Sequence, residues 1–196
     1  MNAAHTQIVH CPACTAGNRL AVDRIGSSAA KCGKCKAPLF PQPRTGEAGE
    51  VFKLRCSRCG ARNRVPGAKL SASPKCGRCG TLLKTDEVFA PQPVLVTDGN
   101  FEDQVIKSPL PVLLFAWAPW CPSCGSAAPI IDQFAAESKG RVRVGKLNVD
   151  ANPMLAGRFN IMSVPFLFIF DNGELKESLP GTLQKHELML KLARYV

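Results

Sequence analysis

Val112-Leu113-Leu114-Phe115-Ala116-Trp117-Ala118-Pro119-Trp120-Cys121-Pro122-Ser123-Cys124 is the stretch that decides the fold. Its first six residues form a near-continuous apolar run of strand length, as expected for a strand covered on both faces. Pro122 suits the first position of a helix, where a missing N–H costs nothing. The helix then reads from Pro122 to about Ser138, with Pro129 as a kink inside it. Both cysteines therefore stand at a strand-to-helix junction. The first is at the helix N-terminus, where free N–H groups and the helix dipole stabilise a thiolate. The second is one turn in, close enough to form or break a disulfide with the first. A C-x-x-C in this place reads as a redox pair. The competing reading, half of a zinc site, lacks a second pair of ligands, because the other eight cysteines already pair among themselves.

Working outward, strand and helix patterns alternate. Val94–Val96 is a short strand, and Asn100, or Asp98 before it, can cap a short helix through Ile106. A strand over 142–149, a short helix over 153–159 and a strand over 166–170 follow. Asp171-Asn172-Gly173 is a hairpin turn signal, its partner strand is 175–179, and 183–195 closes as a helix with Leu188, Leu192 and Tyr195 on one face. Alternation followed by a hairpin predicts an α/β domain: a central mixed sheet flanked by helices.

The preceding residues are of another kind. The chain has 196 residues, a formal net charge of +10 and ten cysteines. Residues 1–90 hold 15 Lys and Arg against 5 Asp and Glu, whereas residues 91–196 hold 10 of each. Large apolar residues run the other way, 17 against 40, so the first half cannot be held by apolar burial and needs disulfides or metal. It contains a repeat. Cys11-x2-Cys14 with Cys32-x2-Cys35 is one copy; Cys56-x2-Cys59 with Cys76-x2-Cys79 is the other. Asn18-Arg19-Leu20 matches Asn63-Arg64-Val65, and Lys31-Cys32-Gly33 matches Lys75-Cys76-Gly77. Two knuckles at this separation make one four-cysteine zinc site, so the expectation is two structural Zn2+ ions in two small zinc-ribbon-like modules. Disulfides are the alternative; the absence of an export signal in the first ten residues points to a cytoplasmic location, whose reducing conditions disfavour them. His5 and His10 are left as surface residues.

Each Zn2+ with four thiolates sums to −2, leaving this half at about +6. Arg19, Arg24, Lys31, Lys34 and Lys36 in the first module, with Lys53, Arg55, Arg58, Arg62, Arg64, Lys69, Lys75 and Arg78 in the second, could contact phosphates. Only Phe40, Phe52 and Phe89 are nearby for base stacking, so a solvated surface is favoured over a nucleic-acid interface. No apolar run, 164–170 included, reaches the roughly 20 residues of a membrane span. With linkers at 41–46 and 90–93, three parts are expected: module 1 over 1–43, module 2 over 44–89 and the α/β domain over 90–196.

Residues 91–196 resemble thioredoxin. The resemblance rests on Trp117-Ala118-Pro119-Trp120-Cys121-Pro122-Ser123-Cys124, on Pro129, on Lys146-Leu147-Asn148-Val149-Asp150, on Val164-Pro165 and on Phe170-Asp171-Asn172-Gly173 with Gly181. A zinc module in front resembles the zinc-containing second thioredoxin of bacteria, which usually has one such module where this chain has two. The resemblance implies the thioredoxin fold and reduction of protein disulfides, with a thioredoxin reductase as partner. Cys121 would be the nucleophile and Cys124 the resolving thiol. Pro165, if cis, would let Val164 pair with an extended substrate, and Trp120 would shield the groove. Two departures stand out. Pro122-Ser123 replaces the usual Gly-Pro, and Phe115 replaces the usual buried Asp. The second leaves Lys146 without its carboxylate, either to snorkel outward or to lie near Cys124. A binding module, or a zinc chaperone that senses oxidation, are the competing classes.

Overall fold

The computed structural model describes residues 6–11, 16–21, 30–36, 39, 50–85 and 88–196. His5, Cys14, Arg24, Phe40 and the 41–46 linker lie outside the described residues. The chain divides into two compact units, residues 1–45 and 46–196.

In the first unit, β1 (Thr6–His10) and β2 (Gly17–Ala21) form an antiparallel hairpin in which Ile8 faces Arg19 and His10 faces Gly17. Its core is small: Cys11, Ala30, Cys32 and Leu39 are buried, with Ala16 and Leu20 against them.

The second unit begins with the same device. β3 (Val51–Arg55) and β4 (Arg62–Pro66) pair antiparallel, followed by a 3-10 turn over Gly67–Ala72. Phe52, Leu54, Val65, Leu70, Leu83, Val88 and Leu110 are buried together with Cys56 and Cys76. Then come β5 (Val94–Val96), β6 (Val112–Trp117), α1 (Pro122–Ser138), β7 (Arg143–Asn148), α2 (Pro153–Arg158), β8 (Phe166–Asp171), β9 (Glu174–Pro180) and α3 (Lys185–Leu192). The sheet order is β5-β7-β6-β8-β9. β6 is parallel to β7 and antiparallel to β8, with Ala116 facing Phe166 and Val112 facing Phe170.

Strand alternation explains why β6 and β8 are apolar throughout. Leu113, Phe115, Leu167 and Ile169 meet Ile131 and Phe134 of α1 and Leu188 and Leu192 of α3. Val112, Leu114, Ala116, Phe168 and Phe170 meet Phe101, Val105 and Leu155 on the other face. With both faces covered, every position must be apolar, and each fully buried side chain contributes roughly 1.5–3 kcal/mol before chain entropy is set against it. α1 runs through Pro129 as one helix.

One local expectation is corrected. The single turn before β6, Glu102–Ile106, is π-helical and has no side-chain cap. Asn100 instead bonds the Thr97 N–H and the Leu95 carbonyl, and Asp98 caps α2, accepting from Leu155 N at 2.9 Å and Met154 N at 3.3 Å. A cap 56 and 57 residues away in sequence from the N–H groups it accepts serves because β5 runs beside β7, and β7 leads into α2.

Candidate active site and metal centres

The β6-to-α1 junction places Cys121 as the N-cap of α1. Its sulfur accepts the Cys124 N–H at 3.1 Å and lies 3.4 Å from Ser123 Oγ. One free N–H of the first helical turn and one hydroxyl thus meet at one sulfur, an arrangement that favours a thiolate there. Cys121 and Cys124 are joined as a disulfide, with Cα atoms 5.3 Å apart. Cys124 is buried among Phe115, Ala127 and Ile131, and Trp117 and Val164 pack on the same cluster. The Val164–Pro165 peptide bond is cis. The Pro165 carbonyl accepts from Gly181 N at 2.9 Å, tying the loop to the end of β9. Trp120 is 67% exposed, its indole N–H held by Asp150 Oδ2 at 3.0 Å.

Lys146 requires a correction. It does not lack a carboxylate: Asp132 of α1 meets its Nζ at 2.6 Å. Asp132 lies eight residues beyond Cys124, about 12 Å along the helix axis, so the pair stands away from the disulfide. Phe115 is fully buried beside Lys146 in the sheet register. The site thus brings together Cys121, Cys124, Val164 and Pro165, with Trp120 on its rim and Lys146 engaged elsewhere. The sequence reading missed Ser123 and Asp132. A hydroxyl between two cysteines was a usable signal for the first; the second depends on how α1 packs over β7.

The cysteine modules repeat one geometry. Asn63 Nδ2 donates to Ala61 O at 2.8 Å and its Oδ1 accepts Gly77 N at 2.9 Å; Asn18 makes the same bonds to Ala16 O and Gly33 N at 2.8 and 2.9 Å. Each asparagine staples one knuckle to the other. The sulfurs of Cys56, Cys59, Cys76 and Cys79 all lie within 4.8 Å of one another, as do those of Cys11, Cys32 and Cys35. Sulfur pairs stand 3.5 Å (Cys11, Cys35), 3.6 Å (Cys56, Cys79) and 3.7 Å (Cys59, Cys76) apart. A tetrahedral Zn2+ with bonds of about 2.3 Å sets sulfurs about 3.8 Å apart, while a disulfide needs about 2.05 Å. The donor sets fit zinc. Backbone N–H groups of Lys34 and Arg78 reach the sulfurs of Cys32 and Cys76, both at 3.4 Å. Hydrogen bonding with Thr81, side chain first and backbone second, lowers the Cys79 thiol to about 6. Cys59, despite its backbone bond to Ala61, is pushed up to about 11 by burial and the three neighbouring sulfurs. Crowded thiols thus cannot all ionise together without a cation among them.

The thioredoxin family model matches residues 92–194. The chain belongs to the thioredoxin family. A second model, thioredoxin 2 N-terminal, a zinc ribbon, matches twice, at residues 10–37 and 55–81. The chain is 44% identical over 94 residues to a thioredoxin of Rickettsia felis, covering 48% of this chain and 90% of that one. It is 40% identical over 101 residues to a thioredoxin of Pyropia yezoensis, covering 52% and 94%. It is 41% identical over 101 residues to a chloroplastic M-type thioredoxin of Spinacia oleracea, covering 52% and 56%. It is a thiol-disulfide oxidoreductase of the thioredoxin type, with zinc-ribbon modules ahead of its thioredoxin domain. No helix among the described residues is long and apolar enough to cross a membrane.

Proposed function

We propose that the protein reduces disulfides of other proteins through Cys121-Pro122-Ser123-Cys124. The Cys121 thiolate attacks one sulfur of the target disulfide; a mixed disulfide forms and the other target sulfur leaves as a thiolate. Cys124 then attacks Cys121 Sγ, the target leaves as a dithiol, and the Cys121–Cys124 disulfide holds the oxidising equivalents. A thioredoxin reductase returns two electrons. The single observation that carries this reading is the Cys121–Cys124 disulfide at the start of α1, its Cys121 sulfur accepting the Cys124 N–H.

The Cys124 proton passes to solvent: Phe115, in the same buried cluster, carries no carboxylate, and Asp132 is some two turns away and paired with Lys146. The Val164 backbone, beside the cis bond, would pair with an extended target, and Trp120 would cover the groove. Cys11, Cys14, Cys32 and Cys35 would hold one Zn2+, and Cys56, Cys59, Cys76 and Cys79 a second, in modules spanning 1–43 and 44–89 ahead of the domain at 90–196. Zinc supplies no redox chemistry; it replaces a missing core. The test is insulin reduction driven by NADPH and a thioredoxin reductase, with Cys121→Ser beside wild type. Turnover is expected to vanish in the variant, and turnover that survives would sink the assignment.

A further inference from the structure

The two modules share their internal scaffold and differ at the base of the hairpin. In module 2 the residues facing each other there are Arg55 and Arg62, and the next pair along that face is Lys53 and Arg64. Four cations on one face of a two-stranded ribbon repel. The counter-ion of Arg55 and Arg62 is Asp171, the last residue of β8, while Lys53 Nζ donates to Val196 O at 3.1 Å. Arg55 Nε donates to Asp171 Oδ1 at 2.7 Å and its Nη2 to Oδ2, a two-pronged pair. Arg62 Nη2 stands 3.7 Å from the same carboxylate. The Arg55 and Asp171 side chains are only 11% and 9% exposed.

The surroundings close over this pair. Arg55 N donates to Pro109 O at 2.8 Å, and Gly140 N to Val88 O at 2.8 Å. Gly140 must be glycine: its φ is +80°, and a Cβ would stand 2.7 Å from the Phe52 ring. At Gly60, in the Cys56–Cys59 knuckle, a Cβ would meet Asn172 at 2.9 Å. Leu110, just before β6, is part of the module's own core. Module 2 and the thioredoxin domain therefore share one buried seam.

At the described hairpin positions module 1 keeps Arg19 in the place of Arg64 but lacks the two arginines that grip Asp171. In the matching register, His10 faces Gly17 where module 2 has Arg55 facing Arg62, Ile8 stands for Lys53, and Gln7 stands for Phe52. Duplication has left one copy with the residues for this seam and one without.

We propose that module 2 is a metal-dependent clamp on the thioredoxin domain. Filling Cys56, Cys59, Cys76 and Cys79 keeps Arg55 and Arg62 on Asp171 and so stabilises the redox domain, an effect that the metal of module 1 does not produce. This rests on the zinc reading above. Without metal, a module with so small a core unfolds, and Asp171 loses its two cations.

The chain carries its own reporter, because both tryptophans, Trp117 and Trp120, belong to the thioredoxin domain. Thermal unfolding followed by tryptophan fluorescence is measured on the full chain, with zinc content determined on each sample. Cys76→Ser is expected to lose one zinc per chain and to lower the tryptophan transition by about 5 °C or more. Cys32→Ser is expected to lose one zinc and leave that transition in place. In an R55H/R62G background, which copies module 1 at these two positions, Cys76→Ser is expected to shift the transition by less than it does in the wild type, because only the backbone bonds and Leu110 are left to lose. Equal shifts for Cys32→Ser and Cys76→Ser, or no shift for Cys76→Ser despite zinc loss, overturn the clamp. A wild-type chain free of zinc as purified and after zinc addition overturns the metal reading itself.

Discussion

Ser123→Ala removes a hydroxyl 3.4 Å from Cys121 Sγ while leaving the 3.1 Å bond from Cys124 N–H in place. A hydrogen bond to a charged acceptor contributes about 1.5–3 kcal/mol. Sulfur is a diffuse acceptor and Ser123 is exposed, so water replaces part of the loss; about 0.7–1.4 kcal/mol remains, or roughly 0.5–1 unit of pKa. The Cys121 thiol of the reduced variant therefore titrates higher by that amount. The kinetic signature has two limbs. Below both pKa values the thiolate fraction falls about 3- to 10-fold, but a more basic thiolate is intrinsically more nucleophilic with a slope near 0.4–0.5, so alkylation slows by only about 2- to 4-fold. Above both values each protein is fully ionised and the variant reacts faster, by about 2-fold. The two pH–rate curves cross. Iodoacetamide alkylation of reduced protein across the pH range, with thiolate absorbance as an independent titration, reads both limbs. Curves that superimpose, or that run parallel without crossing, would refute the assignment of Ser123 as a donor to the Cys121 thiolate.

Asp98→Ala strips both caps from the first turn of α2, since Leu155 N and Met154 N lose their acceptor; the expected cost is about 1–2 kcal/mol in urea unfolding, and a loss under a few tenths would contradict the capping role. Glu177→Gln gives a pH-dependent effect. Burial pushes the Glu177 carboxyl up, but hydrogen bonds from Lys191 and Tyr195 and the charges of Lys191 and Arg194 hold it below the usual carboxylate range. A depressed folded pKa contributes stability above the unfolded value of about 4.3 and loses it as pH falls through the folded one. The wild type is therefore more stable than Glu177→Gln near neutrality and converges with it in acid; a gap that stays constant down to about pH 3 contradicts this.

The strand-to-helix cysteine pair was legible because it is written in about a dozen adjacent residues, and the four-cysteine sites because the same spacing recurs in two copies, Cys11–Cys35 and Cys56–Cys79. The alternation of Leu113 and Phe115 with Val112, Leu114 and Ala116 could be read only as a doubly covered strand, not as to which helix covers which face. Side-chain pairings between distant segments were opaque. Asp132 finds Lys146 only once α1 lies across β7. Arg55 and Asp171 are 116 residues apart, and in sequence Arg55 belongs with the basic surface residues; folding removes it from solvent. The net charge of the first half was thus read partly as a surface property when a share of it is an internal connection.

β8 begins beside the cis bond and ends at Asp171, so the redox cysteines and the module seam occupy opposite ends of the β6–β8 pair, about 20 Å of strand apart. This separates handle from tool. Lys69 and Lys75, exposed on module 2, offer amines for coupling to beads or sensor surfaces. With the other exposed lysines replaced, a Cys124→Ser form held through module 2 alone becomes a trap whose attachment lies away from Cys121, and covalently caught targets are released by dithiothreitol.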